Sequence, residues 1–297
     1  MTESLSVWVA GARPRTLPAA LAPILAGIAS ALPVVKSVTN GRFWGIALLC
    51  FVVALALQVG VNYANDYSDG IRGTDDDRVG PTRLVASGMA IPAAVRTAAF
   101  VSFGVAAMAG LVVVIITGHW WLLLVGAAAI VAAWFYTGGN HPYGYLGLGE
   151  VFVFVFFGLV ATVGTAFVLS DVAPGWSWVG AISIGALASA LLVVNNLRDV
   201  DTDATAGKRT LATKLGDGGT RWFFIALVAA AVGGVVVFAT LTTWWALLAL
   251  LAFGVLVLPV RDLLMGARGR ALIGTLQATG MAELGVGVGL LTGILVG

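Results

Sequence analysis

Long apolar runs, separated by short polar segments, dominate the pattern of the chain. Runs of about 20 mostly apolar residues are long enough to cross the hydrocarbon core of a bilayer as helices. We therefore predict an all-α integral membrane protein with nine transmembrane helices. The predicted spans are Thr16–Leu32, Phe43–Ala64, Pro92–Thr117, Trp120–Tyr136, Gly147–Leu169, Ser177–Leu197, Arg221–Thr240, Trp244–Leu263 and Thr279–Val296.

Composition supports the same class of protein. Of the 297 residues, 60% are hydrophobic and 10% are charged, which excludes an ordinary soluble domain. The lone cysteine, Cys50, lies inside an apolar run, so no disulfide framework is expected. A net charge of +2 gives no indication of a nucleic-acid partner, and we expect none. Residues 1–6 lack a basic region, so we expect no removable signal peptide.

The basic residues predict an orientation. If the N-terminus is cytoplasmic, every Lys and Arg except Lys36 and Arg42 falls in the cytoplasmic segments. Positive charge accumulates on the cytoplasmic side of membrane proteins. We therefore expect a multi-pass protein of the cell inner (plasma) membrane, with its C-terminus outside. The cytoplasmic connections are also the longer and more polar ones, which predicts a polar cytoplasmic cap over a functional site.

Two polar segments, residues 62–83 and 195–210, are weak copies of each other. Val61-Asn62 corresponds to Val194-Asn195, and an aspartate follows the asparagine by four residues in both segments. We interpret them as an internal duplication within one membrane-embedded domain, residues 1–297, with one metal-binding half on each side of a pocket. The alternative is a chance resemblance between two polar helix ends.

Helical spacing places the acidic residues of each segment on one face. Residues three, four, seven and eight apart share a helix face. Magnesium prefers oxygen ligands and commonly binds one or two carboxylates together with substrate phosphates. We predict one ion at Asp66 and Asp69, with Asn62 and Asn65 beside them, and a second at Asp199 and Asp203, with Asn195 beside them. The alternative is a pair of capped, solvated helix ends.

The sequence leaves the roles of the other charged residues in these segments open. Asp75–Asp77 follow Gly73 in a loop and are either solvated or the source of one further ligand, and Asp201 lies off the stripe and is expected to be structural. Arg83, Lys208 and Arg209 lie near turn glycines. Arginine and lysine suit phosphate oxygens, although basic residues also serve as membrane anchors.

Aromatic residues crowd the same end of the predicted bundle. They either form an interfacial belt and core or line a tunnel that shields a carbocation. Glu150, at the start of a span, is either a helix-start charge or a pocket residue. The aromatic residues are Tyr63, Tyr67, Trp134, Tyr136, Tyr143, Tyr145, Phe152, Phe154, Phe156 and Phe157.

These motifs resemble a known family. Asn62-x-x-Asn65-Asp66-Tyr67-x-Asp69 is similar to the first motif of the UbiA-type intramembrane prenyltransferases. Residues 136–150 and 195–211 resemble the branch that prenylates 1,4-dihydroxy-2-naphthoate in menaquinone biosynthesis, and residues 13–18 match it as well. One departure is Gly73, where many members of the superfamily carry a third aspartate.

The resemblance implies nine transmembrane helices around a central pocket, two Mg²⁺ ions, a polyprenyl diphosphate and an aromatic acid. It implies that the prenyl group replaces the carboxylate of 1,4-dihydroxy-2-naphthoate, with loss of diphosphate and CO₂, to give demethylmenaquinone. Asp66, Asp69, Asp199 and Asp203 are then the catalytic metal ligands. The expected substrate-binding residues are Asn62, Asn65, Arg83, Tyr136, Asn140, Tyr145, Asn195, Asn196, Lys208 and Arg209.

Three alternatives remain at this point. The same chemistry on 4-hydroxybenzoate, homogentisate or haem differs only in the acceptor. A CDP-alcohol phosphotransferase also uses membrane aspartates, but Asp69-Gly70 is not followed by the Ala-Arg and spaced Gly-Asp-Asp of that family. A cation transporter needs polar groups towards the outer side, where Asp171 is the only acid among the predicted segments.

The orientation predicts the labelling of two single cysteines. Both variants are made in a Cys50→Ala background. A cysteine that replaces Ser170 is expected to react with a membrane-impermeant thiol reagent in intact cells. A cysteine that replaces Thr213 is expected to react only after the membrane is permeabilised. Labelling at position 213 but not at position 170 in intact cells would reverse the orientation.

Overall fold

The structure is a computed structural model that describes residues 5–35, 41–74 and 83–297. In these ranges every regular element is helical. Asp75–Asp77 lie outside the described residues, so the prediction of a further ligand there stays a prediction.

Eleven helices are numbered here in chain order. Short 3₁₀ turns at Pro14–Thr16, Tyr143–Leu146 and Gly269–Leu272 lie between them. The middle of α6 is π-helical over Phe154–Val160, and α10 begins as a 3₁₀ helix over Trp244–Leu256. The helices are α1 (Leu5–Ala12), α2 (Pro18–Ala31), α3 (Gly41–Arg72), α4 (Pro92–Thr117), α5 (Leu122–Phe135), α6 (Gly149–Ser170), α7 (Gly175–Arg198), α8 (Val200–Thr205), α9 (Leu211–Leu241), α10 (Trp244–Leu264) and α11 (Ile273–Val296).

Seven helices in the described part of the chain are long and apolar enough to cross a membrane: α3, α4, α6, α7, α9, α10, and α11 with the turn before it. The prediction of an all-α, multi-pass membrane protein is therefore confirmed. Two shorter apolar helices, α2 and α5, occupy two further predicted spans. The count of nine spans stays a prediction.

Proline and glycine set several helix ends. Pro18 and Pro92 stand in the first turn of α2 and α4, where an amide hydrogen is not needed for the helix. Gly118 ends α4 with φ of 77°, a conformation that glycine adopts at little cost. Helix α9 is interrupted at Gly216, whose φ of 71° and ψ of 176° are not helical.

Three helices extend further into the polar segments than the apolar pattern predicts. Helix α3 continues from Ala64 to Arg72, α9 begins at Leu211 rather than Arg221, and α11 begins at Ile273 rather than Thr279. Hydrophobicity marks where a helix leaves lipid, whereas the backbone hydrogen bonds continue across polar residues. The extension of α3 carries the first acidic segment on a helix.

Small residues allow the helices to pack closely. A Cβ atom on Gly158 of α6 would lie 2.6 Å from the Cα atom of Gly185 on α7. One buried cluster joins α2, α7, α9, α10 and α11 around Ile184, Phe238 and Leu290. Close contact through glycine and alanine is the usual way that helices associate in lipid.

Candidate active site

A cavity of about 610 Å³ lies among helices α2 to α7. Its polar residues gather at one end, where α3 and α7 end. The rest of its wall is mostly apolar and includes Leu57, Leu111, Ile130 and Phe157. A pocket with a charged end and a long apolar body fits a molecule that has a charged head and an apolar tail.

Asp69 of α3 is the centre of the charged end. It is 3% exposed and lines the cavity. The Tyr145 hydroxyl donates to Asp69 Oδ1 at 2.5 Å, and Lys208 Nζ lies 3.4 Å from Asp69 Oδ2. Arg83 Nη2 lies 3.7 Å from the same oxygen. The two polar segments therefore meet at this carboxylate, as the predicted pocket requires.

The second segment brings Asp199 and Asp203 to the same cavity. The predicted continuous stripe from Asn195 is interrupted, because α7 ends at Arg198 and Asp199 has φ of −100°. Asp199 and Asp203 still lie one helical turn apart beyond this interruption, because the Asp203 N–H donates to the Asp199 carbonyl at 2.8 Å. Lys208 Nζ lies 4.0 Å from Asp203 Oδ1.

Arg198 holds the Asp199 carboxylate through two hydrogen bonds. Its Nε and Nη2 atoms donate to the two carboxylate oxygens at 2.7 Å each, and Nη2 also donates to Asn195 Oδ1 at 2.9 Å. A bidentate arginine–carboxylate pair is among the stronger charged hydrogen-bond arrangements. Asp199 therefore has an internal counter-ion.

The predicted asparagine residues line the cavity and are fixed by other groups. Asn62 Nδ2 donates to the Ala12 carbonyl at 2.8 Å and to Thr16 Oγ1 at 3.0 Å. Asn65 Oδ1 accepts from Thr137 Oγ1 at 2.8 Å. These bonds tie the start of the chain and the end of α5 to α3.

Asp66 departs from the prediction, because it does not line the cavity. Its carboxylate is fully buried and accepts from the backbone amides of Leu84 and Val85, at 2.8 and 3.0 Å. Asp66 therefore faces the segment that follows Arg83, while Asp69 faces the cavity. In this arrangement Asp66 fixes the backbone beside Arg83, and the metal-ligand role predicted for Asp66 stays a prediction.

Two predicted substrate-binding residues also lie elsewhere. Asn140 and Arg209 are exposed and do not line the cavity. Arg209 contributes its backbone N–H, which donates to the Tyr145 carbonyl at 3.0 Å. Its neighbour Lys208 is buried in the cavity wall, so the extended backbone before α9 places the two side chains on different sides.

Aromatic side chains form one wall of the cavity. Tyr143 stacks on Phe152 with ring centres 4.0 Å apart, and Tyr136 meets Tyr143 edge-on at 5.5 Å. Burial raises the pKa of Tyr143 and Tyr145, and the nearby Asp69 carboxylate further raises the pKa of Tyr145. Their hydroxyls therefore remain protonated at neutral pH. Among the residues named for the aromatic cluster, Tyr136, Tyr143, Tyr145, Phe152, Phe156 and Phe157 line the cavity.

Several cavity residues were not predicted as site residues. Arg13, Thr16, Thr137 and Thr210 line the cavity from loops and helix starts, where no periodic pattern marks them. Arg13 and Thr16 fall in the N-terminal motif, and Thr137 follows Tyr136 in the second motif, so the resemblance was the available signal.

The residues at the charged end fit magnesium. Asp69, Asp199 and Asp203 supply carboxylate oxygens, and asparagine residues supply amide oxygens, which are the ligands that this ion prefers. Among the described residues, no group of three His, Cys, Asp or Glu side chains is arranged to hold a metal ion. A bound ion therefore needs further ligands, and phosphate oxygens and water are its usual ones.

The comparisons with known proteins identify one family. Residues 20–271 match the UbiA prenyltransferase family, and the chain belongs to it. A 1,4-dihydroxy-2-naphthoate octaprenyltransferase of Mycobacterium tuberculosis is 50% identical over 285 residues, which cover 95% of this chain and 94% of the relative.

Two solved structures share the fold. The apo structure of a UbiA homologue from Aeropyrum pernix has a TM-score of 0.66 and 17% identity, and covers 95% of this chain and 97% of its own. A UbiA homologue from Archaeoglobus fulgidus, bound to GPP and Mg²⁺, has a TM-score of 0.60 and 12% identity, and covers 96% of this chain and 99% of its own.

The position of Asp66 leads to a stability prediction. Asp66→Ala leaves the buried amide of Leu84 and the partly buried amide of Val85 without their acceptor, which is expected to cost about 1–3 kcal/mol for a fully buried group and less for the other. Thermal unfolding of the purified protein is expected at a clearly lower temperature. Asp201→Ala is the control, because Asp201 is exposed and does not line the cavity. Equal unfolding temperatures for the two variants would contradict the anchoring role.

Proposed function

We propose that this protein transfers a polyprenyl group from a polyprenyl diphosphate to 1,4-dihydroxy-2-naphthoate. Diphosphate and CO₂ leave, and the product is demethylmenaquinone in its hydroquinone form. The observation that carries the proposal is one cavity in which carboxylates and bases occupy one end and apolar residues line the rest. The 50% identical octaprenyltransferase supports the choice of acceptor.

The charged end is the proposed site of the diphosphate. Asp69, Asp199 and Asp203 are proposed to hold two Mg²⁺ ions with the diphosphate oxygens, and bound magnesium would offset the charge that builds on the leaving group. Lys208 and Arg83 already lie beside Asp69 and are proposed to bind the phosphate oxygens directly. Asp66 is proposed to support this site by fixing the backbone next to Arg83.

The remaining lining residues match the other parts of the substrates. The apolar body of the cavity is proposed to hold the prenyl tail. Tyr136, Tyr145, Asn195 and Asn196 line the cavity and are proposed to contact the substrates where the acceptor ring meets the allylic carbon. Aromatic faces stabilise a nearby cation, so the Tyr143–Phe152 stack protects the allylic cation once diphosphate leaves.

The placement in the membrane is part of the proposal. We propose nine spans, a cytoplasmic N-terminus and site, and an outer C-terminus in the cell membrane, supported by the distribution of basic residues. The chain is proposed to be one domain of two related halves. Its two polar segments contribute Asp69 and Asp203 to one cavity, which is the arrangement that a duplicated metal site requires.

Prenyl transfer by the purified protein tests the function. In lipid nanodiscs with magnesium and labelled polyprenyl diphosphate, 1,4-dihydroxy-2-naphthoate is expected to yield labelled product and one CO₂ per transfer. 4-Hydroxybenzoate, homogentisate and haem are expected to yield little product, and a chelator is expected to stop the reaction. If transfer to one of the other acceptors is faster, that acceptor and not the naphthoate is the substrate.

Loss of a cavity carboxylate tests the metal assignment. Asp69→Ala, Asp199→Ala and Asp203→Ala are each expected to lower kcat by about a hundredfold or more. Each variant loses a carboxylate ligand of the magnesium that offsets the negative charge on the leaving diphosphate. The initial rate is measured across a magnesium titration. Near-normal turnover of Asp199→Ala at saturating magnesium would show that Asp199 is not a metal ligand.

Lys208 and Arg209 form a matched pair for testing diphosphate binding. The residues are neighbours and carry the same charge, but only Lys208 lines the cavity. Lys208→Gln is expected to raise the KM for the diphosphate at least about tenfold, because a charged hydrogen bond is lost in a buried site. Arg209→Gln is expected to leave that KM within about twofold of the parent value, because exposed charges contribute little. The reverse result would restore Arg209 as the phosphate-binding residue.

A further inference from the structure

Glu150 is a buried carboxyl group directly behind the cavity wall. It lies in the first turn of α6, is 4% exposed and does not line the cavity. Its Oε1 atom accepts from Asn196 Nδ2 at 2.9 Å, and its Oε2 atom is buried without a hydrogen-bond partner among the described residues. Its side chain therefore acts on one cavity residue, Asn196.

The contact with Glu150 fixes which way the Asn196 amide faces. Asn196 Nδ2 donates to Glu150 Oε1, so the amide nitrogen of Asn196 faces Glu150 and its amide oxygen points another way. Asn196 is 8% exposed and lines the cavity. An amide oxygen in a cavity wall selects a ligand group that donates a hydrogen bond, such as a hydroxyl.

The ring of Tyr136 packs beside the start of α6, next to Glu150 in the chain. A Cβ atom on Gly149, the residue before Glu150, would lie 3.2 Å from the ring of Tyr136, so the absence of a side chain there lets Tyr136 pack against the start of α6. Tyr136 also lines the cavity, so this part of the wall carries both an aromatic ring and the Asn196 amide.

We propose that Glu150 is a positioning residue for the aromatic acceptor. By holding the Asn196 amide nitrogen, it presents the amide oxygen to a ring hydroxyl of the dihydroxynaphthoate. A phenolic hydroxyl that donates a hydrogen bond pushes more electron density into its ring, which makes the ring a better nucleophile towards the allylic cation. This inference rests on the proposed function, because it assigns the acceptor of that reaction to this wall of the cavity.

Binding of 1,4-dihydroxy-2-naphthoate to the purified protein in nanodiscs tests the proposal without turnover. Glu150→Met keeps the length of the side chain and removes the acceptor, and it is expected to raise the Kd about tenfold, the effect of one hydrogen bond. Glu150→Gln retains one oxygen that can accept from Asn196, and its Kd is expected to lie between those of Glu150→Met and the parent. The KM for the diphosphate is expected to stay within about twofold in both variants.

Ser189→Ala is the matched structural control. Ser189 Oγ donates to the backbone carbonyl of Glu150 at 3.1 Å, so this variant loosens the same contact between α6 and α7 but leaves the carboxyl group in place. Its Kd for the naphthoate is expected to match the parent value. A Kd raised as much as in Glu150→Met would show that Glu150 acts only by docking the two helices, and would overturn the proposal.

Two acceptor analogues identify the hydroxyl. 1-Hydroxy-2-naphthoate and 4-hydroxy-2-naphthoate each lack one hydroxyl of the substrate. One of the two analogues lacks the hydroxyl that is proposed to bond with Asn196, and the parent and Glu150→Met are expected to bind it with the same Kd. For the other analogue, the Kd of Glu150→Met is expected to stay about tenfold above that of the parent. If both analogues keep the full difference, Asn196 does not contact a ring hydroxyl and the proposal is wrong.

The outcomes separate this inference from the proposed function. A parent protein that transfers prenyl groups to the naphthoate, with a Kd unchanged in Glu150→Met, overturns the inference alone. A parent protein that binds the naphthoate in a Glu150-dependent way, yet transfers no prenyl group to it, overturns the proposed function and supports the binding site.

Discussion

An ionised side chain is tolerated in a membrane-spanning helix bundle only where another polar group compensates its charge. The charged end of the cavity obeys this constraint throughout: Asp199 is held by Arg198, and Asp69 by Tyr145, Lys208 and Arg83. The same constraint shapes the connection between α10 and α11. There, buried Arg221 pairs with Asp217 at 2.8 Å and donates to the carbonyls of Leu263 and Ala267.

This requirement gives two neighbouring carboxylates different properties. Asp66 and Asp69 are both buried on α3, but Asp66 is bonded to backbone amides that cannot move without unfolding a segment. The partners of Asp69 are the ends of long side chains and one hydroxyl. Such partners can move to make room for a ligand, so the chemical identity of the partner distinguishes a structural aspartate from one that is available to a substrate.

The sequence predicted the spans well wherever proline or glycine marked their ends. The bounds of α4 agree at both ends, since Pro92 opens the helix and Gly118 closes it. Pairs of acids and bases from both polar segments also reach one cavity, because Asp69, Asp203 and Lys208 lie near helix ends on the same side.

The predicted site residues that do not line the cavity have one feature in common: the direction of their side chains depends on tertiary packing. Asp66 and Asp69 are separated by only about 60° around the helix axis, so the helical pattern does not determine which one faces the cavity. Lys208 and Arg209 lie in a non-helical stretch, where adjacent side chains diverge according to backbone angles that carry no periodic signal. Asn140 lies in a comparable turn.

The charges that line the cavity cancel before any ligand arrives. Within the described ranges they are three carboxylates, Asp69, Asp199 and Asp203, and three bases, Arg13, Arg83 and Lys208. A divalent ion alone, or a diphosphate alone, would unbalance this neutral lining at an electrostatic cost, whereas the two together largely cancel. Under the proposed function, the diphosphate of the prenyl donor would therefore enter the cavity together with magnesium rather than alone. The supply of free magnesium would then set how much of the prenyl donor can bind.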